Sequence, residues 1–157
     1  MFANIRFKYD ISSTDPCASC EDIIYKVLDD ASRNVDNTDG ANYCDQDGSG
    51  SKSPDWEGSS WYRMIGPAGT QIPESIIDSY RCGTHASGWL NGTHPTDIGV
   101  AVDSTVCFHW SSKACEWSTD IQIMNCETYF LYYLPNTEVC TLRYCAETPA
   151  AGIGNIY

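Results

Sequence analysis

The sequence contains no stretch of about 18 apolar residues, which is the length that a membrane-crossing helix requires. Basic residues are also scarce, since 9 Lys and Arg stand against 21 Asp and Glu, for a formal net charge of −12. This balance disfavours nucleic-acid partners and anionic membrane surfaces, because both demand a basic face. The beginning of the chain lacks the apolar middle of a signal peptide. We therefore expect either that a signal has been removed or that Met1 is not native.

Motifs for catalysis and metal binding are equally scarce. The nucleophile elbow Gly-x-Ser-x-Gly does not occur. His85, His94 and His109 have none of the spacings of a zinc finger or a metalloprotease helix, and Cys17 and Cys20 form the only Cys-x-x-Cys pair. His109 stands between two aromatic residues, so we interpret it as a packed, hydrogen-bonded histidine rather than a general base. We expect a protein that is not an enzyme and that holds neither a metal nor another cofactor.

Cysteine, by contrast, is abundant. Nine cysteines are too many for an ordinary cytosolic protein, and without zinc-site spacing they predict disulfide bonds made in an oxidising compartment. Because nine is an odd number, one thiol is left over. The length of 157 residues suits one domain with its own core. The cysteines occupy positions 17, 20, 44, 82, 107, 115, 126, 140 and 145.

The stretch 88–117 carries an acceptor triplet for N-glycosylation, Asn91-Gly92-Thr93, together with three of the five tryptophans. Such a triplet functions only on exposed backbone in a protein that enters the secretory pathway. We predict a surface loop that carries a sugar at Asn91 and runs into a strand that ends in a short, disulfide-closed hairpin. The triplet and the cysteines together indicate a secreted, extracellular module.

Local patterns predict both strands and a helix. Apolar residues alternate with Arg, Lys and Asp over 5–11, which is typical of a half-buried strand. This strand either forms an edge of the domain or pairs with a neighbouring molecule. A capping Ser19 and apolar residues at helical spacing predict a helix from about 20 to 33. Composition favours strands at 60–65, 104–110, 120–126, 129–134 and 139–145, and a short strand or turn at 72–80.

The polar segment 34–60 is predicted to be a long surface loop pinned at Cys44. Within this segment, Asp45 and Asp47 imitate the start of a calcium-binding loop. The imitation fails at position twelve, where Trp56 replaces the bidentate glutamate. We therefore interpret the segment as a solvated acidic loop.

Short motifs follow one another in a specific order along residues 15–147. They are Asp15-Pro16-Cys17, Leu28-Asp29-Asp30, Tyr43-Cys44-Asp45, Trp61-Tyr62-Arg63, Arg81-Cys82, Trp89-Leu90-Asn91-Gly92-Thr93-His94-Pro95, His109-Trp110-Ser111, Cys115, Cys126, Cys140 and Tyr144-Cys145. Each motif alone is weak, but their order is specific. It resembles the eight-cysteine extracellular module of uromodulin and the pancreatic zymogen granule membrane glycoprotein. We accordingly divide the chain into an N-terminal strand or extension (1–14), the module (15–147) and a C-terminal linker or tail (148–157).

The resemblance implies a compact α+β fold, with one main helix and several short antiparallel strands, held by four disulfides. Carried across, the pairs are Cys17–Cys126, Cys44–Cys140, Cys82–Cys145 and Cys107–Cys115. Cys20 has no counterpart in the module and is expected to be unpaired or intermolecular, although either Cys17 or Cys20 can take the first position. Longer forms of the module have a fifth bridge, and here Ser75 or Ile76 and Ala114 stand where its cysteines would lie.

Three functional hypotheses follow. The module that the chain resembles is not known for catalysis, and in that family glycans can be bound by bacterial adhesins. The first hypothesis is a non-catalytic interaction or scaffold module that displays its N-glycan at Asn91 to extracellular proteins or adhesins. The second is a subunit of an extracellular filament or matrix that self-associates through residues 1–14 or Cys20. The third is a lectin-like carbohydrate binder that uses exposed tryptophans such as Trp56 or Trp89.

Overall fold

A computed structural model describes residues 19–150, which form one seven-stranded sheet. Two single-turn 3-10 helices, Ala31–Arg33 and Gly66–Ala68, lie between the strands. In the described part of the chain, no helix has the length and apolar character that crossing a membrane requires. The strands are β1 (Lys26–Leu28), β2 (Ser60–Met64), β3 (Ala86–Leu90), β4 (Ala101–Trp110), β5 (Lys113–Asn125), β6 (Phe130–Leu134) and β7 (Leu142–Tyr144).

The strands are ordered β1-β2-β6-β5-β4-β3-β7 across the sheet. β1 runs parallel to β2 and β7 runs parallel to β3, whereas the four central pairings are antiparallel. The long β4–β5 hairpin forms the middle, and its register runs from Ala101 opposite Met124 to Trp110 opposite Lys113, with an irregularity between Phe108 and Trp110. The strands predicted over 60–65, 104–110, 120–126, 129–134 and 139–145 all correspond to strands of this sheet.

The expected α+β fold with a main helix at 20–33 is wrong, because the described chain is almost entirely β. Ile24 is 60% exposed and Val27 is 37% exposed, while Ile23 and Leu28 are buried. A helix would have placed these four side chains on one face, whereas here they are split between the surface and the interior. Their β-branched members suit an extended strand, and pairing with β2 decides the outcome.

The segment 34–60 is anchored to the core and is not the solvated loop that its composition indicates. Trp56 is completely buried, with its ring stacked on Tyr62 at a centroid distance of 4.9 Å and on Tyr144 at 5.8 Å. The indole N–H of Trp56 donates a hydrogen bond to Asn136 Oδ1 at 2.9 Å. This one aromatic side chain therefore joins a polar segment to the main hydrophobic core.

A buried charge cluster lies beside this core. Arg33 is fully buried and donates from Nη1 and Nη2 to the two carboxylate oxygens of Asp45, at 2.7 and 3.0 Å. A second carboxylate, Asp55, pairs with the same guanidinium. Asp45 also accepts from the main-chain N–H of Tyr144 at 3.0 Å, so Arg33 and Asp45 connect a 3-10 turn, the polar segment and β7. Asp45 is therefore committed to Arg33 rather than to a calcium ion.

The cluster sets the protonation state of Asp55 and of Arg33. Burial disfavours the charged form of Asp55, but the Arg33 guanidinium outweighs burial and holds the pKa of Asp55 below its usual value. The Asp45 and Asp55 charges likewise outweigh burial at Arg33 and raise its pKa, so the guanidinium stays charged. A lowered carboxyl pKa contributes stability that is present above the usual aspartate pKa and is lost as the pH falls below it.

Four disulfides close the fold. They join Cys20 to Cys126, Cys44 to Cys140, Cys82 to Cys145, and Cys107 to Cys115. The first three span 106, 96 and 63 residues, so each removes much conformational freedom from the unfolded chain and contributes about 2–4 kcal/mol. The fourth spans 8 residues and closes the β4–β5 hairpin.

The first disulfide differs from the pair that the resemblance implies, because Cys126 is bonded to Cys20 and not to Cys17. A hydrogen-bonded turn from Ser19 to Asp22 sets Cys20 and the following Ile23 against the cluster around Cys126. Cys20 is therefore not an unpaired thiol, and a filament linked through it loses its basis. Cys17, the strand predicted at 5–11 and most of the predicted C-terminal tail lie outside the described residues.

Substituting Cys17→Ser should leave Cys126 oxidised, because the partner of Cys126 is Cys20. Alkylation of the unreduced protein with a thiol reagent, followed by peptide mass spectrometry, checks this. Cys107 serves as the internal control, because its disulfide with Cys115 involves neither Cys17 nor Cys20. Labelling of Cys126 in Cys17→Ser would contradict the pairing.

Replacing Arg33 with Met should lower the free energy of unfolding by about 3–5 kcal/mol, because Asp45 is left in the interior without its cation and Asp55 keeps only Arg143, at 3.8 Å. The matched control is Lys26→Met, which breaks an exposed ion pair with Glu57 and should cost less than about 1 kcal/mol. Urea denaturation of the disulfide-intact variants measures both. Equal losses for the two substitutions would show that the buried cluster does not stabilise the fold.

Candidate functional site: the Asn91 loop

The segment 91–100 leaves the end of β3 and returns at the start of β4, and we call it the Asn91 loop. Its acceptor triplet is exposed at all three positions, Asn91, Gly92 and Thr93. The main-chain N–H of Asn91 donates to the carbonyl of Thr105 at 2.9 Å, which continues the β3–β4 ladder by one residue. The side chain that would carry a sugar thus projects from the first residue after a fully paired strand.

His94 fixes the middle of the loop. Its ring is almost fully buried, with Nδ1 2.6 Å from Glu74 Oε1 and Nε2 2.7 Å from the Tyr132 hydroxyl. The main-chain N–H of His94 donates to the same Glu74 oxygen at 2.7 Å. The ring also packs on Phe130 at a centroid distance of 4.4 Å. Two loop groups therefore bind one carboxylate, while the ring is wedged between aromatic side chains of β6.

The hydrogen-bond network assigns the neutral form of His94. Nδ1–H donates to the Glu74 carboxylate, and Nε2 accepts from the Tyr132 hydroxyl, whose oxygen accepts from the main-chain N–H of Ile72 at 3.2 Å. Both ring nitrogens of His94 and the Tyr132 proton then have a hydrogen-bond partner. An imidazolium would direct a second N–H at the Tyr132 oxygen and leave the buried Tyr132 proton without an acceptor.

Burial has the largest effect on the protonation of His94 and Tyr132. It lowers the pKa of His94 below its usual value, and the hydrogen bond and charge of Glu74 offset this only in part. Donation from the main-chain N–H of His94 lowers the pKa of Glu74, against the opposing effect of burial. Burial also raises the pKa of Tyr132, which therefore remains a protonated donor.

Asn125, at the end of β5, holds the returning half of the loop. Its side-chain amide donates to the carbonyl of Pro95 at 2.9 Å, and its main-chain carbonyl accepts from Gly99 at 2.8 Å. Ile98 forms a β-bridge with the same residue. The loop is thus tied to the sheet at Asn91, His94, Pro95 and Gly99, so its backbone path is set on both sides of the triplet.

The tryptophans proposed as sugar-binding platforms do not form an open surface. Trp56 lies in the main core, and Trp89 is buried on β3 with its indole N–H donating to the carbonyl of Ala114 at 2.8 Å. A stacking platform for carbohydrate must expose a ring face. The lectin-like interpretation based on these two residues is therefore wrong.

His85 and His109 are not part of the hydrogen-bond network of His94. His109 is packed as predicted, with Nδ1 2.7 Å from the carbonyl of Ile77 and Nε2 3.0 Å from the carbonyl of Ser111. His85 lies against the rings of Tyr80 and Trp110. Within residues 19–150, no three His, Cys, Asp or Glu side chains are grouped so that they could hold a metal ion.

Sequence reasoning missed the residues that hold the loop. Glu74 lies in the weakly patterned segment 72–80, and Tyr132 and Asn125 lie in a strand and at a strand end. They are separated from His94 by 20, 38 and about 30 residues, and no local pattern relates residues so far apart.

A disulfide-closed β-sheet that presents an anchored acceptor triplet defines the class: an extracellular glycoprotein domain. The family model for the uromodulin-like domain matches residues 62–146. The chain belongs to this family of secreted, extracellular proteins.

Several relatives share the name pancreatic secretory granule membrane major glycoprotein GP2. The protein from Canis lupus familiaris is 41% identical over 140 residues, covering 88% of this chain and 25% of its own length. The protein from Homo sapiens is 36% identical over 132 residues, covering 83% of this chain and 22% of its own length. Uromodulin from Rattus norvegicus is 36% identical over 135 residues, covering 85% of this chain and 18% of its own length. The chain thus spans a quarter or less of these relatives.

The loop should loosen as the pH falls from about 7 to about 5. Because the pKa of His94 is lowered in the folded protein, the contribution of neutral His94 is complete above the usual histidine pKa and is lost as the pH falls below it. The charged and titratable groups that face the ring are Glu74, Tyr132 and, at longer range, Glu147. The lowered pKa of Glu74 acts in the same direction at still lower pH.

Amide hydrogen exchange of residues 92–99, corrected for the intrinsic pH dependence of exchange, measures this loosening. His94→Gln should remove the dependence between about pH 7 and pH 5, whereas His85→Gln, whose ring lies outside the network, should retain it. A dependence that persists unchanged in His94→Gln would assign the loosening to another group.

Proposed function

We propose that this chain is a non-catalytic extracellular module that displays an N-glycan at Asn91 to glycan-binding proteins, such as adhesins. One observation carries the proposal: the exposed triplet sits on a loop that is tied to the sheet on both sides. A glycan attached there would leave the protein from a fixed position and in a fixed initial direction. A fixed attachment point lowers the entropy that a partner must remove when it binds the sugar.

The arrangement of the histidines supports a non-catalytic role. Both ring nitrogens of His94 have hydrogen-bond partners, and so do both ring nitrogens of His109. A general base must lie within hydrogen-bond reach of the proton that it removes from a substrate. These two side chains hold the backbone in place instead.

The chemistry of the surface also favours the sugar over the polypeptide as the recognised element. The net negative charge of the chain disfavours partners that carry phosphate groups. Trp56 and Trp89 are buried and cannot stack on a sugar ring. The triplet, by contrast, is exposed at all three residues. Protein contacts beside Asn91 would then adjust the orientation of a bound lectin rather than provide its main affinity.

Asn91→Gln should abolish both the glycan and the binding of glycan-specific proteins. Thr93→Ser is the matched control, because it keeps a functional acceptor triplet. The proteins are secreted from a glycosylating host, their masses are compared before and after enzymatic glycan removal, and binding is measured on a panel of immobilised lectins and adhesins. We expect loss of binding in Asn91→Gln and retention in Thr93→Ser.

Two results would overturn the proposal. An unmodified Asn91 in the wild-type protein secreted from its natural source would remove the displayed element. Equal binding of partners by the wild type and Asn91→Gln would show that the polypeptide surface is recognised instead. Circular dichroism of both variants separates these results from misfolding.

A further inference from the structure

Part of β4 has an open edge. β3 pairs with β4 only between Val106 and His109, and the Asn91 hydrogen bond extends this pairing to Thr105. The chain then leaves β4 to form the Asn91 loop. Among residues 19–150, no strand pairs with this side of 101–104, although β5 pairs with the other side along its full length.

The alternation of antiparallel hydrogen bonds shows which groups face this edge. Asn91 donates to the carbonyl of Thr105, so Thr105 directs its main-chain groups toward β3. In an antiparallel pair the direction of these groups alternates with each residue. Ala101 and Asp103 therefore direct their N–H and C=O groups toward the open edge, where an added strand could bind them.

The two sides of this edge differ in character. On one side, Val102 is 39% exposed, and the preceding loop residues Ile98 and Val100 are 61% and 52% exposed. On the other side, Asp103 and Asp120 lie on one face, where Asp103 accepts from Gln122 and Asp120 accepts from Thr105. Among the described residues, no Lys or Arg forms an ion pair with either carboxylate. A matching strand would be apolar on one face and basic on the other.

Residues 5–11 of this chain have that pattern. Ile5, Phe7, Tyr9 and Ile11 alternate with Arg6, Lys8 and Asp10, so an extended conformation places the apolar set on one face and both cations on the other. The complementarity is specific, because the whole chain has only 9 basic residues. Arg6 and Lys8 would lie on the face that carries Asp103, with Asp120 one strand further from the added segment, and the apolar side chains would lie beside Val102.

The chain is also long enough to reach. Cys20 is bonded to Cys126, and its sulfur lies 3.7 Å from the carbonyl of Asn125. Asn125 bridges Ile98 and adjoins Met124, the partner of Ala101. The described chain therefore begins near the open edge, and the seven residues 12–18 can span up to about 25 Å.

We propose that residues 5–11 add to the open edge of β4 in the same molecule, as an eighth strand paired with residues 101–104. Binding within one molecule is favoured because the short connection holds the segment at a high effective concentration, on the order of millimolar. This inference is independent of the glycan at Asn91, since it concerns the backbone edge and its charged face.

Amide hydrogen exchange of the full chain, resolved by residue with NMR, tests the proposal. A truncated chain that begins at Ser13 should exchange the Ala101 and Asp103 amides about tenfold faster or more, because their new partners are gone. The amides of Val102 and Ser104, which face β5, should not change. Unchanged protection of Ala101 and Asp103 after truncation would overturn the proposal.

Charge reversal keeps the length of the chain and tests the register. Arg6→Glu combined with Lys8→Glu should speed exchange of the same two amides, and adding Asp103→Lys with Asp120→Lys should restore their protection at least in part. If the reversal of Asp103 and Asp120 restores no protection, the proposed pairing of opposite charges across the edge is wrong.

The exchange measurements are repeated across a hundredfold range of protein concentration, and light scattering reports the oligomeric state. Protection that rises with concentration together with dimer formation would assign the segment to a second copy and overturn pairing within one molecule.

Discussion

The fold depends on a guanidinium that is buried between two carboxylates. Arg33 joins a single helical turn, the polar segment 34–60 and β7 through Asp45 and Asp55, and the Asp45 carboxylate also binds the backbone of β7. Burying these charges has a large desolvation cost, but removing one partner would leave an uncompensated charge in the interior, so the fold depends on keeping the groups together. Two disulfides reinforce the same place, because Cys44 adjoins Asp45 and Cys145 adjoins Tyr144. Covalent and electrostatic constraints therefore hold the polar segment against the sheet, and Trp56 completes the core from within it.

The Asn91 loop repeats this arrangement on a smaller scale. A segment that begins as exposed backbone is held by one buried polar side chain, His94, whose partners belong to a preceding segment and to β6. In the low-dielectric interior such a network is strong when every group is paired and costly when one is not. The rigidity of the loop is therefore conditional on the protonation state of His94. A glycan acceptor on such a loop combines an accessible side chain with a well-defined attachment point.

The sequence motifs identified the family of this chain but not its fold class. The ordered motifs identified the uromodulin-like family, yet the expected main helix at 20–33 was wrong. Local spacing of apolar residues is shared by a helix and by a short strand with an adjoining turn, and only pairing with β2 distinguishes them. Local sequence likewise did not decide whether Cys17 or Cys20 is bonded to Cys126. Two thiols three residues apart are equivalent in sequence, whereas the turn from Ser19 to Asp22 places Cys20 against Cys126.

The amino-acid sequence by itself determined the oxidising compartment, the acceptor triplet and the position of most strands. Each of these follows from composition or from patterns within about ten residues. Tertiary structure alone decided the burial of Trp56 and Trp89, the commitment of Asp45 to Arg33, and the network of Glu74, His94 and Tyr132. These features arise between residues that lie far apart in the chain. Their energies depend on burial, and burial exists only once the sheet has formed.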